Sequence, residues 1–274
     1  MERNNMLQAA QLINSAKCII IAAGAGMGID SGLPDFRGNK GFWRCYPELE
    51  SEQLSFSDIA SGTAFIEHPN KAWQFYGHRY SLYKNTNPHH GFKILLNWIS
   101  DLNKDYYVYT TNVDGHFQKA GFDADKIMEV HGSINYWQCS LACNDSLLEV
   151  DEPHYDFSTL PQCPCCQRYL RPNIKMFNDP YWLSQRTFAQ KSGYRRLLMR
   201  YQADEIVVIE IGAGQHIPTI RREVEVLGSP VIRINPELGP LPRGYIAIEQ
   251  GALEALCAID SALSLPKENK PCLC

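Results

Sequence analysis

Residues Ile19–Gly38 read IIIAAGAGMGIDSGLPDFRG. The run Cys18–Ala22 is short, apolar and β-branched. It enters a cluster of glycines directly, as a buried strand does when it feeds a phosphate-cradling turn. The dinucleotide fingerprint G-x-G-x-x-G would use Gly24 and Gly26 and would need a third glycine at position 29. That position is Ile29, and the glycines fall instead at Gly24, Gly26, Gly28 and Gly32. Pro34, Asp35, Phe36 and Arg37 follow. A proline, an acid, an aromatic ring and an arginine have no place in that fingerprint, and the rest of the chain must account for them.

Outward from this stretch, further strand-length apolar runs recur at Tyr106–Tyr109, Ile127–Val130, Glu205–Ile211, Val231–Ile234 and Tyr245–Ile248. Nearly continuous apolar character is what a parallel sheet covered on both faces requires. Gly91–Leu102 and Ile217–Leu227 have helical spacing and stand between such runs. The pattern predicts an α/β fold with a Rossmann-like doubly wound parallel sheet. Two regions break the rhythm. About 39–88 is aromatic and helical in pattern, with Trp43, Trp73, Tyr76 and Tyr80, and about 133–177 holds five of the ten cysteines. Both read as insertions into a core spanning about 7–38, 89–132 and 178–260 of a single 1–274 domain.

An apolar fraction of 45% with 20% charged residues is that of a globular protein. A net charge of -4 gives no footprint for nucleic acid or an anionic membrane. The N-terminal MERNNMLQAAQLINSAK is polar and helix-like, with no signal-peptide core, and no run is long enough to span a bilayer. A cytoplasmic protein is expected, in which ten cysteines point to metal or catalysis rather than disulfides.

Cys139 and Cys143, then Cys163 with Cys165 or Cys166, form two close pairs. Four thiolates so arranged close a tetrahedron around Zn²⁺. A two-residue spacing from Cys163, with Pro164 after that first ligand, favours Cys166 as the fourth ligand and leaves Cys165 spare. A four-thiolate site has no open position, so the metal is structural.

In an open α/β sheet, ligands bind beyond the carboxyl ends of the strands. There the second run leads to Thr110-Thr111-Asn112-Val113-Asp114, and the third to His131-Gly132. A histidine so placed suits general-base work. A second glycine turn, Gly212-Ala213-Gly214, suits a phosphate at a helix start. Asn235 and Glu237 after the next run suit ribose hydroxyls. Two glycine turns and two ribose-type ends imply a dinucleotide.

From about Leu12 to Leu256 the chain resembles the sirtuin family of NAD-dependent protein lysine deacylases. GAGMGIDSGLPDFRG, TTNVDGHFQKAG, EVHGS, the paired cysteines, LRPNIKMF, IGAG, INPE and QGALEAL stand in family order. The resemblance implies that Gly24, Ala25 and Gly26 cradle the NAD pyrophosphate and that Asp35, Phe36 and Arg37 belong to a mobile cofactor loop. It implies that Asn112 holds ribose hydroxyls, that Asp114 reads the nicotinamide carboxamide and that Gly212, Ala213, Gly214, Asn235, Glu237 and Ala252 line the adenosine half. The implied reaction consumes NAD as co-substrate. The acyl oxygen of a modified lysine attacks the nicotinamide ribose and nicotinamide leaves; His131 then acts as base on a ribose hydroxyl, and O-acyl-ADP-ribose results. The implied partner is an acyl-lysine protein or peptide, which Ile174, Met176 and Phe177 help to clamp.

The chain also departs from the family. Thr111 replaces a glutamine, Gly28 a serine, and Ala213-Gly214 a Thr-Ser pair. Ile174-Lys175-Met176-Phe177-Asn178-Asp179 replaces Val-Val-x-Phe-Gly-Glu, so backbone pairing to a peptide survives while side-chain preference changes. A divergent ADP-ribosylating branch shares the Thr-Thr-Asn variant but typically lacks the histidine, which favours deacylation here. Tyr76 and Arg79, on one helix face, match a signature of sirtuins that accept acidic acyl groups such as succinyl. The other reading of the pair is a packed tyrosine with a solvated arginine.

Overall fold

The structure, a computed structural model, describes residues 2–34, 55–215 and 217–264. In chain order the strands among them are β1 (Cys18–Ala23), β2 (Asp105–Thr110), β3 (Ile127–Glu129), β4 (Gly132–Cys139), β5 (Leu148–Glu149), β6 (Leu170–Ile174), β7 (Ile206–Ile211), β8 (Val231–Ile234) and β9 (Ile246–Ile248). Six form one sheet in the order β3-β2-β1-β7-β8-β9, and every pairing in it is parallel. The chain starts at the centre, winds out to β3, returns to β7 and winds out the other way. The switch point therefore lies between β1 and β7, where a crevice opens at the carboxyl ends.

Alternation along the strands divides the core. Ile19, Ile21, Val108 and Ile209 face the helices Glu2–Ser15, His90–Asp101 and Ala252–Leu263. Ile20, Ala22, Tyr107 and Val208 face Tyr194 and Leu197 of Gln185–Leu198, and Ile220 and Val224 of Thr219–Leu227. Each buried isoleucine contributes about 1.5–3 kcal/mol. Thr219–Leu227 begins later than the expected Ile217, so the second glycine turn does not open directly onto a helix.

β4, β5 and β6 form a separate antiparallel sheet in the order β5-β4-β6. The helices Phe56–Ile59, Ala64–Glu67 and Pro69–Asn85 pack against it. Pro69 sits at the helix start, where its missing N–H costs nothing. The two regions read as separate insertions share one aromatic core. The Trp73 ring lies 5.0 Å from Trp137 and 5.3 Å from Phe157, and Tyr80 lies 5.8 Å from both. The Trp73 indole N–H donates to the Leu170 carbonyl at 2.8 Å, which pins the long helix to β6. No helix among the described residues is long and apolar enough to cross a membrane.

Candidate active site

The two glycine turns interlock at the switch point. A Cβ on Gly24 would lie 2.6 Å from the Gly212 carbonyl oxygen. Gly212 has φ +62°, and a Cβ there would lie 2.5 Å from backbone atoms of Gly26 and Met27. Backbone cannot yield as a side-chain tip does, so both positions require glycine. Gly26 begins a single helical turn, Gly26–Ile29, which explains why no third glycine is needed at Ile29. Gly28 differs: a Cβ there would meet only Leu33, at 3.1 Å from its Cδ1. The departure from serine at Gly28 thus goes with the close seating of Leu33.

Beside the first turn, β2 ends in Thr110, whose hydroxyl donates to the Ala23 carbonyl and accepts from the Asn112 N–H. Asn112 donates its side-chain amide to the Gly24 carbonyl at 3.0 Å. These bonds fix the Asn112 side chain at the mouth of the crevice. Asp114 accepts the His116 N–H at 2.9 Å across Gly115, a left-handed residue at φ +75°. This Asx turn aims the carboxylate.

A cavity of about 620 Å³ runs between the sheet and the smaller aromatic body. Gly24, Ala25, Asn112, Asp114, His131 and Gly214 meet Tyr76, Arg79, Ile174, Met176 and Phe177 on its walls. The structure thus gathers residues from far-apart stretches around one space. Gly26, Gly212, Ala213, Asn235, Glu237 and Ala252 lie outside this lining. Asn235 is buried, and its amide donates to the Ala213 carbonyl while its oxygen accepts the Glu237 N–H. It braces the second glycine turn rather than facing outward. Glu237 is exposed, and Ala252 is buried at the start of its helix. Asp35, Phe36 and Arg37 lie outside the described residues.

His131 follows β3 by two residues, and its carbonyl accepts the Lys175 N–H at 2.8 Å. Burial, together with the Lys175 charge, pushes the imidazole down to about 4, against an opposing hydrogen bond from the ring to the Thr111 backbone. The ring is therefore neutral at physiological pH and able to take a proton.

Arg79 is neither solvated nor loose. It is 9% exposed, donates to the Tyr83 hydroxyl at 3.0 and 2.6 Å, and lies 5.3–5.5 Å from the rings of Phe75, Tyr76 and Tyr83. The solvated-arginine reading is overturned by this burial. Tyr76 is 1% exposed, and desolvation pushes its phenol up to about 12. Tyr83 stands four residues after Arg79 on the same helix face, and only the packed helix shows the two in contact.

Asn178 stands where the family has glycine and adopts φ +47°, a left-handed conformation asparagine tolerates. Asp179 pairs with the buried Arg171 at 2.7 Å, and a Cβ on Gly62 would lie 2.6 Å from its carboxylate. The shorter acid fits a space that leaves little room for a longer one.

Cys139, Cys143, Cys163 and Cys166 bring their sulfurs within 4.8 Å of one another. Cys139–Cys166 and Cys143–Cys163 stand 3.6 Å apart. Tetrahedral ligands at a Zn–S length of about 2.3 Å lie about 3.8 Å apart, so the quartet fits zinc. Cys165 is exposed outside the cluster.

Residues 24–207 match the Sir2 family. The chain belongs to that family. Among its Sir2 relatives, the NAD-dependent protein deacylase of Aquifex aeolicus is 30% identical over 82% of this chain and 86% of its own. That of Thermococcus sibiricus is 28% identical over 97% of this chain and 99% of its own. A mutant Sir2 homologue solved with ADP-ribose superposes with a TM-score of 0.70 at 26% identity, over 94% of this chain and 98% of that one. A Sir2 homologue solved with NAD shares the fold, with a TM-score of 0.72 at 24% identity over 94% of each chain.

Proposed function

We infer that this Sir2 protein is an NAD-dependent protein lysine deacylase. The deacylase relatives and the ADP-ribose-bound homologue support the reaction class. The observation that carries it onto this chain is His131, neutral and largely buried, in a cavity shared by a glycine turn and by strand β6. NAD supplies, when bound, an ADP-ribosyl group whose bond to nicotinamide is broken. Gly24, Ala25 and Gly26, with Gly212, Ala213 and Gly214, cradle its phosphates: Ala25, Ala213 and Gly214 offer backbone N–H groups, while Gly24, Gly26 and Gly212, whose N–H groups are donated within the turns, let the backbone come close; Asn235, Glu237 and Ala252 support the adenosine side. Asn112 and Asp114 orient the nicotinamide ribose and carboxamide. His131 receives the proton from the ribose hydroxyl. Asp35, Phe36 and Arg37 complete the site from the cofactor loop.

Ile174, Met176 and Phe177 hold the acyl-lysine peptide, with main-chain groups after β6 pairing to an extended strand. The closed cysteine quartet holds zinc as a structural ion and offers no coordination site for chemistry. Such thiolates persist in the reducing cytoplasm, where we place the enzyme. The whole chain forms one catalytic domain, with a Rossmann-like core at about 7–38, 89–132 and 178–260 and insertions at about 39–88 and 133–177. Arg79, held by Tyr83 and facing the cavity beside Tyr76, favours an acyl group that ends in a carboxylate, with deacetylation as the companion activity.

The test is incubation with NAD and acetyl-, succinyl- and unmodified peptides, read by mass spectrometry. Loss of acyl mass together with O-acyl-ADP-ribose is expected. Mass gain on unmodified protein with no acyl loss from any peptide would overturn deacylation in favour of mono-ADP-ribosylation; free ADP-ribose alone would make the chain an NAD-cleaving module.

A further inference from the structure

Lys175 belongs to the lining of the cavity, yet the sequence pattern around it is apolar. The chain alternates at the end of β6: Ile174 is buried, Lys175 exposed and Met176 buried. The Lys175 backbone is fixed beside the base, because its N–H donates to the His131 carbonyl at 2.8 Å. Its side chain therefore leaves the protein at the rim of the cavity. The Nζ lies 5.7 Å from the centre of the Trp182 ring. Among the described residues, Nζ has an aromatic face beside it and no carboxylate in ion-pair contact. Asp179, the nearest acid along the chain, is committed to Arg171 at 2.7 Å. Arg79 stands deeper and buried, and Asp114 is the acid on the lining. Among the described residues, the rim thus presents a cation with no ion-pair partner.

We propose that Lys175 selects the peptide: the enzyme prefers acyl-lysines flanked by aspartate or glutamate, whose carboxylate meets the Lys175 ammonium at the rim. The proposal rests on the deacylase reading. Its chemistry is that of a solvent-exposed ion pair, so the effect is modest and salt-dependent. The aromatic contact restricts the long side chain before the peptide arrives and lowers the entropy lost on pairing.

The experiment compares kcat/KM for acyl-lysine peptides that differ only in the residues flanking the modified lysine, acidic, neutral or basic, at low and high salt. Acidic flanks are expected to win by roughly threefold at low salt and to lose that advantage at high salt. Lys175→Ala should erase the ratio, and Lys175→Glu should invert it toward basic flanks. The ratio between peptides is insensitive to any general loss of activity in the variants. Equal rates on all flanks in the native enzyme, or an acidic preference that persists in Lys175→Ala, would overturn the proposal while leaving deacylation intact. Absence of acyl loss from every peptide would instead sink the deacylase reading.

Discussion

The parallel sheet and the smaller aromatic body hold together by different physics. The sheet is an aliphatic solid: β1 and β7 are buried along their whole lengths, and its stability is spread over many isoleucines and valines. The smaller body rests on a few large rings and four sulfurs, with Trp73, Trp137 and the cysteine quartet at its centre. Distributed burial tolerates a single loss. A core built from few large parts does not. The active site lies between the two, so each contributes to it on its own terms.

The sharpest way to break this contrast is to remove the metal. Structural zinc in small sites carries on the order of 10 kcal/mol of binding free energy. Chelation, or Cys163→Ser, is expected to abolish the ordered β4–β6 ribbon while the α/β sheet keeps most of its circular dichroism. Elemental analysis that finds no zinc, with an unchanged melting curve after chelation, would contradict the assignment.

Next in size is His131→Ala. Loss of a general base costs about 10²–10⁴ in rate, and NAD should still raise the melting temperature of the variant. Full turnover would remove His131 from the reaction. The pH dependence follows from its depressed pKa. Protonation disables the base only as pH falls through about 4, so the acid limb of kcat/KM in the free enzyme should lie well below 6.5. Between 6.5 and about 4 the unfolded histidine takes a proton that the folded one refuses, so this residue's contribution to stability fades as pH drops through that window. An acid limb near 6.5 would contradict the burial argument.

Gly212→Ala tests the sheet side. Its Cβ meets backbone at 2.5 Å with φ +62°, and a loss of roughly 2–4 kcal/mol with weakened NAD binding is expected. Gly28→Ser, facing only a leucine side chain, should cost about 1 kcal/mol or less. Denaturant titration of both variants checks the order, and equal costs would remove the distinction between yielding and unyielding neighbours. Arg79→Met reports on specificity alone and is expected to lower desuccinylation about threefold more than deacetylation, the smallest effect of the set. An equal fall in both would return Arg79 to a packing role.

The same contrast explains what the sequence revealed. β1, β2, β7 and β8 are legible to within a residue or so, because continuous apolar runs between glycines leave few alternatives. The zinc quartet is legible from spacing alone, down to Cys166 over Cys165. The strand β4 is not, since GSINYWQC mixes polar and aromatic residues without a clean period. Nor is the union of the two insertions into one core. Trp73 and Trp137 meet across a long stretch of chain, and no local pattern encodes that contact. In the site, His131, Asn112 and Asp114 are readable as strand ends, whereas the Tyr83 clasp on Arg79 and the inward duty of Asn235 depend on three-dimensional packing.

One bond crosses between the two bodies at the base itself. His131 lies two residues past β3 of the parallel sheet, while its carbonyl is held by the first residue after β6. The imidazole is thus aimed from two bodies of different construction. If the ribbon loosens first on warming, the base is expected to swing out of line before the sheet gives way. Catalysis should then fail at a lower temperature than global unfolding, and should return on cooling as long as the zinc stays bound.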